Sequence, residues 1–197
     1  MKVVKTRKFL IGLFVLLFSG VLSYLAGVFL KENYSDAVRP QDLLLDNIPE
    51  QKVFVDIYEV LIPVQIVLLI YSIYKNKFAS SGDVMFRFGI MYILRAISMV
   101  VTPLAQIQDP LVNGSNPVLA PIFYNGMFFS GHTGLTFLIY FLDKGDNKIL
   151  KKTKLVIAIL VAISLVLSHS HYSIDIIGGF LVAYFVANVK INKKRDN

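Results

Sequence analysis

The chain of 197 residues is 55% hydrophobic and only 17% charged, yet its 20 Lys and Arg outnumber 13 Asp and Glu to leave a formal charge of +7. A soluble domain of this length could not hide so much apolar surface in one core, which argues against a soluble nucleic-acid binder despite the basic balance. With no Cys, structural disulfides, thiolate nucleophiles and Cys-ligated zinc are excluded.

A helix needs about 20 apolar residues to cross the roughly 30 Å hydrocarbon layer, and six runs of that character are predicted in chain order. The first, Phe9 to Leu30, follows the basic residues Lys2, Lys5, Arg7 and Lys8. It is longer than the roughly 7–15 apolar residues of a secretory signal core, so it reads as a retained anchor. The second runs from Val53 to Tyr74 and the third from Val84 to Leu104. The fourth, Met127 to Leu142, and the fifth, Leu155 to Ser168, are short for full spans; helices of that kind begin below the membrane surface, around a hydrated cavity. The sixth is Tyr172 to Val189. Between them, Pro40, Pro49, Pro110, Pro117, Pro121 and Asn113-Gly114-Ser115 mark irregular connections. The expectation is all-α: a polytopic membrane protein with one six-helix domain over residues 1–197 and no internal repeat.

Positive charges are retained on the cytoplasmic side of a membrane, so their distribution predicts orientation. The N-terminal tail, Lys75 with Lys77, the group Lys144, Lys148, Lys151, Lys152 and Lys154, and the tail Lys190, Lys193, Lys194 and Arg195 together hold fifteen of the 20. The opposite connections hold only Lys31, Arg39 and Lys52, outnumbered by Glu32, Asp36, Asp42, Asp46 and Glu50. Both termini are therefore expected in the cytoplasm, with residues 31–52, 105–126 and 169–171 facing out. The basicity is then explained by topology and anionic lipid, and needs no nucleic acid.

Ionisable residues inside spans cost about 2.5–3.5 kcal/mol each at a helix centre, which makes each a candidate for function. Here they are Asp56, Glu59, Arg87, Arg95, His132 and Asp175, with His169 and His171 at the turn between the fifth and sixth spans. Asp56 and Glu59 lie near the start of their span and fit the outer interface, and Arg87 fits a snorkelling marker of the cytoplasmic side. All three histidines and Asp175 fall near the outer face. His171 and Asp175 are four apart, one helical turn, so the carboxylate can hold the imidazole N–H and fix its tautomer. His132 stands in Ser130-Gly131-His132-Thr133, where glycine permits close backbone approach and helix N-terminal amides can hold an anion. Arg95 adds a planar donor fork suited to phosphate. Together these make a metal-free phosphoryl-transfer kit. Zinc fits less well, because His169 and His171 are two apart and no further Cys or His remains; no metal and no cofactor is expected.

Ser130-Gly131-His132-Thr133 followed by His171-Tyr172-Ser173-Ile174-Asp175 resembles the two histidine motifs of the phosphatidic acid phosphatase type 2 superfamily, a six-helix membrane fold. Arg87, Gly89, Tyr92, Arg95, Ser98, Met99, Val101 and Thr102 look like a signature of its sphingomyelin synthase branch, as does His169-Ser170-His171-Tyr172. The motif-bearing part spans about 84–189. By that resemblance His171 is the nucleophile that forms a phosphohistidine, Asp175 orients it, and His132 protonates the leaving lipid alkoxide and then activates the acceptor. Arg95, Ser130 and Gly131 would hold the phosphate oxygens, with His169, Tyr92 and Tyr172 in support. The donor would be a membrane phospholipid and the acceptor a lipid alcohol or water.

The chain also departs from the family patterns. Tyr124-Asn125-Gly126 stands where the synthases have Cys-Gly-Asp, Lys31 to Arg39-Pro40 has the wrong spacing for the phosphatase branch, and Ser164-Leu165 lacks that branch's Arg. A transferase and a phosphate-releasing hydrolase would share every catalytic residue. A rival of another class, a lipid or ion transporter with a His/Asp proton relay, predicts inverted repeats, and none is visible.

Overall fold

The structure, a computed structural model, describes residues 2–76, 79–107 and 126–189. Lys77, Pro110, Asn113-Gly114-Ser115, Pro117, Pro121, Tyr124, Asn125 and the basic tail from Lys190 lie outside the described residues. Among those described there are six helices and no strand: α1 (Lys2–Asn33), α2 (Val53–Lys75), α3 (Ser81–Val101), α4 (Gly131–Phe141), α5 (Lys148–Leu167) and α6 (Ser173–Asn188).

Three of them, α1 over Thr6–Asn33, α2 and α3, are long and apolar enough to cross a membrane, and α6 is a shorter apolar helix. The outward face of α2 is apolar and bare, with Val60, Val67 and Ile70 each more than half exposed. An apolar surface of that extent is stable only against lipid or another protein. Six helices follow the order of the six predicted runs, but only these three meet the length and hydropathy of a span among the described residues.

Burial is concentrated where helices meet. The main core joins Phe88 and Met91 of α3, Phe129, Leu138 of α4, Ala158 of α5 and Ala183 of α6. α1 lies along α3 at backbone distance. A Cβ on Gly82 would stand 2.7 Å from the Lys8 carbonyl oxygen, and one on Gly89 2.7 Å from the Val15 carbonyl carbon; Gly12 meets the Gly82 carbonyl in the same way. Within lipid, where helices gain little from the hydrophobic effect, such close approach supplies the packing.

Three predicted details need correction. α5 begins at Lys148, seven residues before the expected Leu155, so lysines assigned to a connection form its first turns. Lysine is a good helix former, and a hydropathy window registers apolarity rather than helicity. Within that group Lys154 is no solvated linker charge: it is fully buried, and its Nζ donates at 2.6 Å to Asp143 Oδ2 and at 2.6 Å to Ser72 Oγ. Gln65 of α2 ties the same level, its Nε2 donating to the carbonyls of Thr136 and Lys154. Arg87 does not snorkel either. It is buried, bonded to Asp83 at 3.0 Å, and its Nη1 donates to the carbonyls of Val186, Ala187 and Val189, capping the C-terminal end of α6. Asp56 and Glu59 are exposed on the first turns of α2.

Removing one partner of a buried ion pair strands the other charge, at about 3–5 kcal/mol, whereas removing both costs far less. Lys154→Ala and Asp143→Ala should therefore each lower the thermal midpoint in detergent more than the double substitution does. A double-mutant cycle checks this, and purely additive losses would show that the pair is not coupled.

Candidate active site

The site forms where the N-terminal ends of α4 and α6 meet. Ser130 is the N-cap of α4: its backbone is extended, its Oγ accepts from the Thr133 amide at 3.3 Å, and its own amide donates to the Asp175 carbonyl at 3.0 Å. With the Thr133 amide taken, those of Gly131 and His132 have no intrahelical acceptor and face the helix entrance. Gly179, one turn beyond Asp175, permits this contact, since a Cβ there would stand 2.7 Å from the Ser130 carbonyl oxygen.

Tyr172 is the N-cap of α6, and Asp175 sits in the first turn. Asp175 Oδ2 accepts from the Tyr172 amide at 3.1 Å and faces His171 Nδ1 at 3.2 Å. The carboxylate thus fixes the start of the helix and the histidine ring together, leaving His171 Nε2 as the edge available for chemistry. The rings of His132 and His171 stand 5.9 Å apart, centre to centre, at a steep mutual angle of 69°. Three buried polar atoms in these elements, His132 Nδ1, Thr133 Oγ1 and Asp175 Oδ1, have no hydrogen-bond partner among the described residues. Unsatisfied buried polar atoms are rare in folded proteins and gather at functional sites.

Arg95 reaches the same place from α3. It is buried, its Nη2 donating to the Gly126 carbonyl at 2.6 Å and its Nε to the Phe129 carbonyl at 3.2 Å. A Cβ on Gly131 would come within 3.0 Å of Arg95 Nε, so glycine at this position admits the guanidinium. Arg95 therefore holds the segment entering α4 as well as lying beside the candidate phosphate nest. Gly126 supplies a carbonyl here, while its neighbours Tyr124 and Asn125 lie outside the described residues.

The supporting residues separate. Tyr172 is fully buried, its hydroxyl donating to the Ala105 carbonyl, and it packs with Leu45 and Met127. Tyr92 packs half-buried against the main core, a turn before Arg95. His169, at a positive φ of 52°, shares a hydrogen bond with the Ile48 carbonyl at 2.9 Å. Its ring therefore ties the α5–α6 turn to the first loop and does not join the other two histidines.

Two contributors were missed by sequence reasoning. The ring of Tyr58, on α2, lies 5.8 Å from that of His132, and its hydroxyl is 3.2 Å from Ser170 Oγ, which is 2.8 Å from Ser168 Oγ. Asp42, counted above only as a loop charge, clamps α6: Oδ2 accepts from the Ser173 amide at 2.6 Å and Oδ1 from Ser173 Oγ at 2.8 Å. The Leu44 and Leu45 amides bond the same carboxylate. No local spacing announces either contact, since both join segments distant in sequence.

Residues 125–191, about a third of the chain and the part carrying α4 to α6, match the family model described as PAP2 superfamily C-terminal. The match supports the phosphatidic acid phosphatase type 2 superfamily, and with the three long apolar helices it marks an integral membrane protein. A comparison with curated proteins finds no match.

Burial pushes the Asp42 carboxyl up, but hydrogen bonds from the Ser173 amide and hydroxyl and from the Leu45 and Leu44 amides outweigh it and hold the group below its ordinary value. A folded-state value below the unfolded one stabilises above the unfolded pKa, and that stabilisation is lost as pH falls through the folded value. Asp42→Asn should accordingly cost about 2 kcal/mol at neutral pH, the scale of charge-assisted hydrogen bonds. Thermal midpoints of the two proteins should converge as the pH falls below the carboxylate range; a gap constant with pH would exclude the clamp.

Proposed function

We propose that this chain is a lipid phosphotransferase or phosphatase, sphingomyelin synthase-like, working through a phosphohistidine at the outer face of the membrane. The observation that carries this reading is the opposed pair of histidines, one held by a carboxylate through Nδ1, at the joined N-terminal ends of two helices. The superfamily match over the same residues supports it. In this reading six helices span or enter the membrane with both termini cytoplasmic.

His171 Nε2 attacks phosphorus while the bond to the lipid alkoxide breaks. His132 gives that alkoxide a proton, so the first product leaves as a neutral alcohol. Asp175 keeps the His171 proton on Nδ1 and stabilises positive charge on the ring as the phosphorus–nitrogen bond forms. The Gly131 and His132 amides with Arg95 receive the charge on the phosphoryl oxygens. In the second step His132 takes the proton of an acceptor hydroxyl, whose oxygen displaces His171 from phosphorus. Water as acceptor gives hydrolysis; a lipid alcohol gives transfer. The His-x-His-Tyr order at His169 to Tyr172 and the α3 residues Arg87, Gly89, Tyr92 and Arg95 favour the transferase form.

Purified protein incubated with phosphatidylcholine, ceramide, diacylglycerol and phosphatidic acid, read by mass spectrometry, separates the two. New headgroup lipid supports transfer, while free phosphate without new lipid leaves only the hydrolase. His171→Ala should abolish turnover and the acid-labile phosphoenzyme trapped in the wild type; full turnover in that variant refutes the mechanism. His132→Ala should slow turnover by about 10²–10⁴-fold, the usual contribution of a general acid, and undiminished rates would remove that role.

A further inference from the structure

We infer that the lysine-rich end of the bundle holds a second binding site, a cavity that accepts a phosphate-bearing anion. A cavity of about 420 Å³ opens there between the end of α2, the start of α3, the end of α4 and the start of α5. Its size lies within the roughly 300–1,000 Å³ of small-molecule sites. It is separate from the histidine site: the helix whose first turn carries His132 reaches the cavity only at its other end, through Ile139 and Leu142.

The sign of the ligand follows from which wall charges are already spent. Lys75, Lys144 and Lys154 face Asp83, Asp143 and Asp146. Asp83 is bonded to Arg87. Both oxygens of Asp143 are occupied, Oδ2 by buried Lys154 and Oδ1 by the Gly145 amide at 2.9 Å. Counted with Arg87, which lies behind the wall, the charges left among the described residues are the exposed Lys75 and Lys144 against Asp146, a positive surplus of one. Two helices also begin in the wall, α3 after Ser80 and α5 after Asn147, whose Oδ1 accepts from the Leu150 amide at 3.1 Å. Both present the positive ends of their dipoles to the space. Several donors around one cavity suit a phosphate, whose oxygens accept several charge-assisted bonds at once. Beside them Leu69, Ile73 and Val84 form an apolar wall continuous with α2, suited to the glycerol and first acyl carbons of an anionic lipid. The shared chemistry is the phosphate, carried either by a lipid headgroup or by a soluble ester.

The test uses full-length protein in phosphatidylcholine nanodiscs. One arm adds phosphatidylglycerol to the disc and the other adds soluble glycerol phosphate, with binding read by native mass spectrometry and thermal shift. Binding in the first arm alone identifies the headgroup as the source, and binding in the second a soluble ester; no binding in either overturns the site. Lys75→Ala with Lys144→Ala should weaken binding by about tenfold or more, and Lys75→Arg with Lys144→Arg should restore it. Asp146→Asn should tighten binding, a gain that misfolding cannot imitate. Unchanged affinity in both the alanine and asparagine variants would show that any bound anion sits elsewhere, the histidine site included.

Discussion

One carboxylate organises the histidine-bearing end of this molecule. Asp175 caps its own helix through the Tyr172 amide, holds His171 through the same oxygen, and offers its backbone carbonyl to Ser130 at the start of α4. Two helix entrances and a histidine are thereby referenced to one residue, itself fully buried. Its Oδ2 is met by the Tyr172 amide and the His171 ring at the positive end of a helix dipole, while Oδ1 has no hydrogen-bond partner among the described residues. Arg95, although near, spends hydrogen bonds on the carbonyls of Gly126 and Phe129.

The same logic recurs at the opposite end with other residues. There the buried pair Lys154 and Asp143 links α5 to the α4–α5 connection, and Ser72 extends it to α2. Arg87 closes the end of α6 from α3. Between these polar layers stands α4, only 11 residues, so about 16 Å at the usual rise per residue. That is roughly half a hydrocarbon layer. A helix this short carries the candidate site at one end and a charged connection at the other without a full apolar span between them.

How far the sequence disclosed this depended on the range of each contact. The His171–Asp175 spacing is local and translated directly into a 3.2 Å contact; Ser130-Gly131-His132 likewise read as a helix entrance and is one. The order of six helices followed from hydropathy, whereas the start of α5 did not, because its lysines are helical without being apolar. Asp42 on Ser173, Tyr58 beside His132, Lys154 with Ser72 and Arg87 over α6 all join segments far apart in the chain. Charge counting assigned Lys154 to topology, and Arg87 was read from its position as a snorkelling marker, because neither reading sees the partners that folding delivers. His169 shows the converse: its motif neighbours suggested the site, while its ring went to Ile48.

The glycine seam between α1 and α3 gives the first helix a different standing from a membrane anchor. An anchor needs only length and apolarity, so its residues are interchangeable within those limits. Here Gly12, Gly82 and Gly89 bring two backbones into contact, and α3 in turn presents Arg95 to the entrance of α4. The lateral position of α1 is thus transmitted to the candidate site through a rigid neighbour. Its lipid-facing side can drift in sequence, whereas the seam can change only if both helices change together.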